Sequence, residues 1–218
     1  MLKIKKKVPT GLIQEEYMFY YDGYNLAKSE KNAVIVFGGS LDNSIPVKTL
    51  ADAFDFNFQI LNKSIADLSV KNAKEAFCSY VQPLHPEGII IHLGESDLNL
   101  FKANSTEFDS AYLQLIEAVK AANSKCRIAL ISLYNENADQ TIAEMNRHIK
   151  AIADSEKCDF VSVDNAKLWN PAASKAAIRF AQNMGLNVRK PLRDVAEILY
   201  SYAYKVILKN NTVTGLAG

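Results

Sequence analysis

Residues 31–43 read KNAVIVFGGSLDN. The run from Ala33 to Phe37 is short, rich in β-branched residues and without polar alternation, the pattern of a strand buried on both faces. It stops at Gly38-Gly39, a pair that permits a tight exit and close backbone approach, and Ser40 follows directly. Four more runs repeat the pattern: GIIIHL (88–93) and RIALISL (127–133) strongly, NFQIL (57–61) more weakly, then DFVSV (159–163). Between them, residues 46–55, 69–82, 106–123, 138–156, 171–182 and 190–208 carry apolar side chains at helical spacing. Strands alternating with helices predict a parallel sheet of about five strands covered on both faces. Such sheets bind ligands beyond the carboxyl ends of their strands. Four polar segments fall there: FGGSLDN, NKSIAD, LGESDLN and LYNEN.

At 218 residues the chain reads as one main domain over 31–218. Residues 1–30 form an N-terminal extension whose aromatic YMFYYDGYNL (17–26) suits an added strand pair or a contact surface. Nearly half the residues are apolar and the net charge is +1, with both signs mixed along the chain. That balance argues against a nucleic-acid partner, for which a basic surface would dominate affinity. KIKKK (3–7) is the one dense basic run and reads as a solvated tail. No apolar run approaches the ~20 residues of a membrane helix, and no apolar core of a signal peptide follows the basic start. The expected setting is cytoplasmic, with no membrane partner. Cys78, Cys126 and Cys158 are odd in number and lack metal-type spacing, so three buried free thiols are expected.

Ser40 admits two readings. As a cap it satisfies orphan N–H groups at the head of a turn or helix. As a nucleophile it needs a base to take its proton. GGS is not a phosphate cradle, because the longer glycine loop and its Lys-Ser/Thr are missing. Nor is it a Gly-x-Ser-x-Gly elbow, because no glycine follows Ser40.

Four blocks, VIVFGGSL, ILNKSIAD, IIIHLGESDLN and NMGLNVRKPLRDVAEILY, together resemble the SGNH (GDSL-type) hydrolases in order and separation, over residues 33–207. The resemblance implies a flavodoxin-like three-layer α/β/α sandwich and ester hydrolysis. It places the nucleophile at Ser40, preceded by Gly39 where the family usually has aspartate. The oxyanion-hole glycine of the second block falls on Asp67, or on Ala66 in a register one residue off. In the third block Gly94 and Asp97 match, but Ser96 replaces the asparagine that would complete the hole. The final Asp-x-x-His becomes Met184-Gly185-Leu186-Asn187. An amide at Asn187 cannot take a proton from serine, and Met184 cannot orient an imidazole. A carboxylate at Asp67 has the wrong sign for an oxyanion hole.

Three histidines remain as substitute bases. His85 precedes a strand and belongs at the far end of the sheet, and His148 lies within a helix. His92, near the carboxyl end of its strand, is the one candidate, set against the plainer reading of a histidine packed between sheet and helix. HLGESD also resembles a stretch of the sialic-acid and xylan acetylesterase branch of the superfamily, which marks Glu95 as a possible site carboxylate. Asp42, Glu95 and Asp97 are too few oxygen donors for a hard cation, and no spacing supports zinc. No metal or cofactor is expected. The aromatics of EILYSYAYKVIL (197–208) read as core or as an association face. The expectation is a degenerate hydrolase fold, with Gly38, Gly39, Gly94, Glu95 and Asp97 lining a pocket for a small acylated or glycan ligand, or a module that binds a partner. The alternative is an active esterase or acetylesterase using Ser40 and a relocated base. The sequence leaves the oligomeric state open.

Overall fold

The computed structural model describes residues 33–54, 56, 58–135, 138–163 and 192–204. Five strands are present among them: β1 (Val34–Gly38), β2 (Ile60–Asn62), β3 (Gly88–His92), β4 (Arg127–Ile131) and β5 (Asp159–Val161). All pair in parallel, in the order β2-β1-β3-β4-β5. This is the flavodoxin-like order, whose topological switch point lies between β1 and β3. The helices are α1 (Ser40–Asn43), α2 (Val47–Ala53), α3 (Val70–Ala76), α4 (Leu98–Ala103), α5 (Ser105–Ala122), α6 (Gln140–Glu156) and α7 (Leu192–Tyr202).

The strands read as unbroken apolar runs because both sheet faces are covered. Their side chains still alternate between two cores, as the two-residue period of a strand requires. Ile35, Phe37, Ile89, Ile91, Ile128 and Leu130 pack with Phe108, Tyr112 and Ile116 of α5, Ala73 of α3, and Met145 and Ile149 of α6. Val36, Ile90, Ala129, Ile131 and Val161 pack with Leu50 of α2 and Val195, Leu199 and Tyr200 of α7. The result is a three-layer α/β/α sandwich. No described helix is long and apolar enough to cross a membrane.

Several boundaries differ from the sequence expectation. The weak second strand runs from Ile60 to Asn62 rather than over 57–61. Phe56 and Phe58 ahead of it stack on one another at 5.2 Å and pack against the second core instead. The segment 69–82 is not one helix: α3 ends at Ala76 and continues as a wider π-type turn, Phe77–Val81, then a 3₁₀ turn, Gln82–Leu84. α5 starts at Ser105, one residue before the expected 106, and its cap is Asn104, whose Oδ1 accepts the Glu107 N–H at 3.1 Å. The cysteines are not uniformly buried. Cys126 is, and burial pushes its thiol up to about 12, but Cys78 is exposed and Cys158 is half-buried. The N-terminal extension and the expected helix over 171–182 lie outside the described residues.

Gly38 ends β1 because nothing larger fits. A Cβ there would sit 2.2 Å from Asp42 Oδ2 and 2.6 Å from the His92 carbonyl oxygen, which faces Gly38 across the β1–β3 pairing. Gly39 is different: the nearest atom to its notional Cβ is Glu95 Oε2 at 3.7 Å, and its φ is −95°. Gly38→Ala should therefore cost about 2–3 kcal/mol or more in urea unfolding, as overpacked sites do. Gly39→Ala should change stability by less than about 1 kcal/mol.

Candidate functional site

The ends of β1, β2 and β3 converge at the switch point. Gly38 donates its N–H to Ser64 Oγ in the loop after β2 at 3.1 Å. Asn62, the last residue of β2, donates from Nδ2 to the Asp42 carbonyl at 2.7 Å. Asp97, buried beyond β3, accepts from Ser69 Oγ at 2.5 Å and from the Val70 N–H at 3.0 Å, so the turn after β3 caps the start of α3. These bonds fix the three loops to one another.

Ser40 opens α1 and is exposed. Its hydroxyl donates to Asp67 Oδ1 at 3.1 Å and accepts the Asp67 N–H, also at 3.1 Å. Asp67 has a φ of 55°, in the left-handed region that aspartate and asparagine enter more readily than most residues. The N–H at this position thus points at the serine oxygen, with a carboxylate beside it. Ser96 is exposed within the short 3₁₀ turn Glu95–Asp97. Gly94, ahead of that turn, has a φ of 124°, where a side chain would be strained.

Behind Ser40 lies a buried polar cluster. Asp42 has no exposed surface and His92 only 1%. The Asp42 carboxylate accepts the Gly39 N–H at 2.8 Å, His92 Nδ1 at 3.0 Å and the Tyr200 hydroxyl. His92 Nε2 meets the Tyr204 hydroxyl at 2.9 Å and lies 4.0 Å from Glu95 Oε1. Tyr200 packs edge-on to the imidazole at 5.0 Å, and Tyr134 stacks on Tyr204 at 4.7 Å. Burial pushes the His92 imidazole down. The charge of Asp42 and its hydrogen bond, aided by Glu95, outweigh this and leave it above the ordinary value. Burial raises the Glu95 carboxyl, an effect reduced by His92 and reinforced by Asp42.

Of the residues singled out from sequence, Ser40, Asp67, Glu95, Ser96, Gly38, Gly39, Gly94 and Asp97 all lie at the ends of these strands. His92 is there too, but its ring nitrogens face Asp42 and Tyr204, and among the described residues both hydrogen bonds of the Ser40 side chain go to Asp67. Met184 and Asn187 lie outside the described residues. Asp97 points to α3 rather than to the other carboxylates, and no group of His, Cys, Asp or Glu among the described residues could hold a metal ion. His85 precedes β3 and is exposed; His148 is bonded to Asp109 at 2.9 Å on the outer helices. Sequence reasoning missed Asp42, Tyr200 and Tyr204 as partners of His92. The available signals were an acid three residues into a helix after Gly-Gly and two tyrosines four apart, Tyr200 in α7 and Tyr204 just beyond its end.

No family model matches the sequence, and no curated protein matches it. Solved structures match its shape. A GDSL-like lipase from Bacteroides thetaiotaomicron superposes with a TM-score of 0.56 at 18% identity, over 91% of this chain and 97% of that one. A psychrotrophic esterase from Pseudoalteromonas, in a structure inhibited by monoethylphosphonate, gives 0.53 at 16% identity, over 84% and 100%. An acetyl xylan esterase gives 0.53 at 15% identity, over 79% and 97%. The chain has the SGNH, GDSL-type fold.

Removing the Asp42 charge would leave a buried imidazole without its counterion. Asp42→Asn is expected to cost about 3–5 kcal/mol in urea unfolding, the usual result of breaking a buried pair from one side. The pH dependence has a fixed sign. His92 holds its proton more tightly when folded. Its contribution is complete below the unfolded value of about 6.5 and is lost as pH rises through the folded value. Glu95, also raised, has the same sign at lower pH. The wild type should lose stability from neutral to mildly alkaline pH, and Asp42→Asn should lose that slope.

Proposed function

We propose that this protein is a degenerate hydrolase-fold binding protein. It would hold a small neutral ligand, acylated or glycan-like, at the carboxyl ends of β1, β2 and β3 without turning it over at an esterase's rate. The observation that carries this reading is the hydrogen bonding of Ser40: its hydroxyl is engaged with the Asp67 carboxylate and N–H at 3.1 Å each, while His92 is held by Asp42 and Tyr204. A nucleophilic serine needs an imidazole or an equivalent base within reach. An ordinary exposed carboxylate is a weak base for an alcohol. The last block of the sequence supports the same reading, because Met184 and Asn187 replace the family's acid and base.

Charge supports the choice of ligand. Asp67 and Glu95 give the mouth of the site two carboxylates, which repel phosphate or carboxylate ligands and stabilise no developing oxyanion. Hydroxyl groups, by contrast, can donate to both. A cytoplasmic setting fits the mixed, near-neutral composition.

One observation favours a second reading. Asp67 Oδ1 is within hydrogen-bond reach of the Ser40 hydroxyl, so a relocated carboxylate base in a slow acetylesterase has the required contact.

Hydrolysis of a short-chain aryl acetate separates the two. Wild type and Ser40→Ala should give equal rates within about twofold, and a fluorophosphonate should leave Ser40 unlabelled. A Ser40-dependent rate that falls by about a hundredfold or more in Asp67→Asn would establish the acetylesterase instead. Titration with an acetylated oligosaccharide, followed by amide chemical shifts, should move Ser40, Asp67 and Glu95. Shifts confined to other faces of the sheet would reject the ligand site.

A further inference from the structure

The cluster of Asp42, His92, Tyr200 and Tyr204 is not used by the proposed binding reaction, yet all four residues are buried. We propose that His92 is a pH-operated latch: as an imidazolium held between Asp42 and Glu95, it clamps α7 and its extension through Tyr204 onto the ends of β1 and β3, and loss of its proton releases that clamp.

The geometry gives the ring two different attachments. Nδ1 faces Asp42 of α1 at 3.0 Å, and Nε2 faces Tyr204 at 2.9 Å with Glu95 at 4.0 Å. Asp42 is in turn bonded to Tyr200. Each side of the pair therefore holds one tyrosine of α7 or its extension, 158 residues from Asp42 in the first case and 112 from His92 in the second. Among the described residues, the groups that face the ring come from four places. α1 supplies Asp42. The turn after β3 supplies Glu95. α7 and its extension supply Tyr200 and Tyr204. β1 supplies only backbone at Gly38, and the loop after β4 supplies Tyr134, which touches Tyr204 rather than the ring. The two charged groups in that set are both carboxylates.

That arrangement sets the consequence of deprotonation. A neutral imidazole leaves the Asp42 carboxylate buried with dipoles alone to answer it, and an unpaired buried charge is costly. The Nε2 contact loses its charge assistance, because Tyr204 must turn its hydroxyl to donate to the neutral nitrogen, and the charge that draws in Glu95 is gone. The cheapest relief is to admit water at the end of α7, where the clamp is made of two hydroxyl groups. Glu95, whose Oε2 lies over Gly39 beside Ser40, is released at the same time. The latch thus connects the last helix to the mouth of the site, whether that site binds or hydrolyses its ligand.

Ring-nitrogen NMR and amide hydrogen exchange on the full chain test this together. His92→Gln assigns the His92 signals by their loss. His92 should hold its second proton to a higher pH than a free imidazole, whose value is about 6.5. As it loses its proton, protection of Ile198–Tyr204 should fall about tenfold beyond the intrinsic pH effect, while α5 stays unchanged. Tyr204→Phe, which retains the ring and the packing, should keep His92 charged but remove most of that step. A His92 that loses its proton below the free-imidazole value of about 6.5, or α7 protection that stays flat through its titration, would overturn the proposal.

Discussion

A carboxylate with no exposed surface must be answered by hydrogen-bond donors, and Asp42 draws them from its own turn and from two distant parts of the chain. The turn after β1 gives the Gly39 N–H, the end of β3 gives His92, and α7 gives Tyr200. The same carboxylate occupies the space that a side chain on residue 38 would need. Glycine at the end of β1, the close approach of β1 and β3, and the docking of α7 are therefore one constraint seen from three sides. The loops that carry Ser40, Asp67 and Glu95 depart from this fixed point.

The electrostatic character of the site follows from its surroundings. In a serine esterase the serine needs a nearby base and the mouth needs donors for a developing negative charge. Here the mouth carries Asp67 and Glu95, and the donor N–H of Asp67 is turned onto the serine oxygen itself. The one imidazole near the strand ends is enclosed below this surface. Its ring nitrogens face Asp42 and Tyr204, so it joins the end of β3 to α1 and to the chain just beyond α7.

Much of this was legible in the sequence. The five apolar runs are the five strands, because central parallel strands have no solvent face to interrupt them. The placement of Ser40, Asp67, Glu95 and Ser96 followed from the rule that sites form beyond the carboxyl ends of such strands. The ends of short elements were less legible: β2 is an edge strand of three residues, and its pairing is decided by neighbours rather than by its own composition. The His92 environment was only half visible. A histidine at the end of an apolar run suggests either a site or a buried partner. Choosing between them requires knowing that Asp42 turns inward and that Tyr200 and Tyr204 of a distant segment meet Asp42 and His92 there. Periodicity places tyrosines on a face, but it cannot name the distant residue that they meet.

The span between Asp42 and Tyr200 also bears on the order in which the molecule can be assembled. As a chain is synthesised, β1 through β5 emerge before α7, and their pairing can begin without it. Throughout that interval the Asp42 carboxylate and the His92 ring lack two of their tyrosine partners and the apolar cover of Val195, Ala196 and Leu199. Water must remain between the second core and the growing sheet until the helix arrives. The last segment described is thus the one that dries the interior, and a ribosome-bound chain halted before it would display a hydrated, half-covered sheet in place of a finished domain.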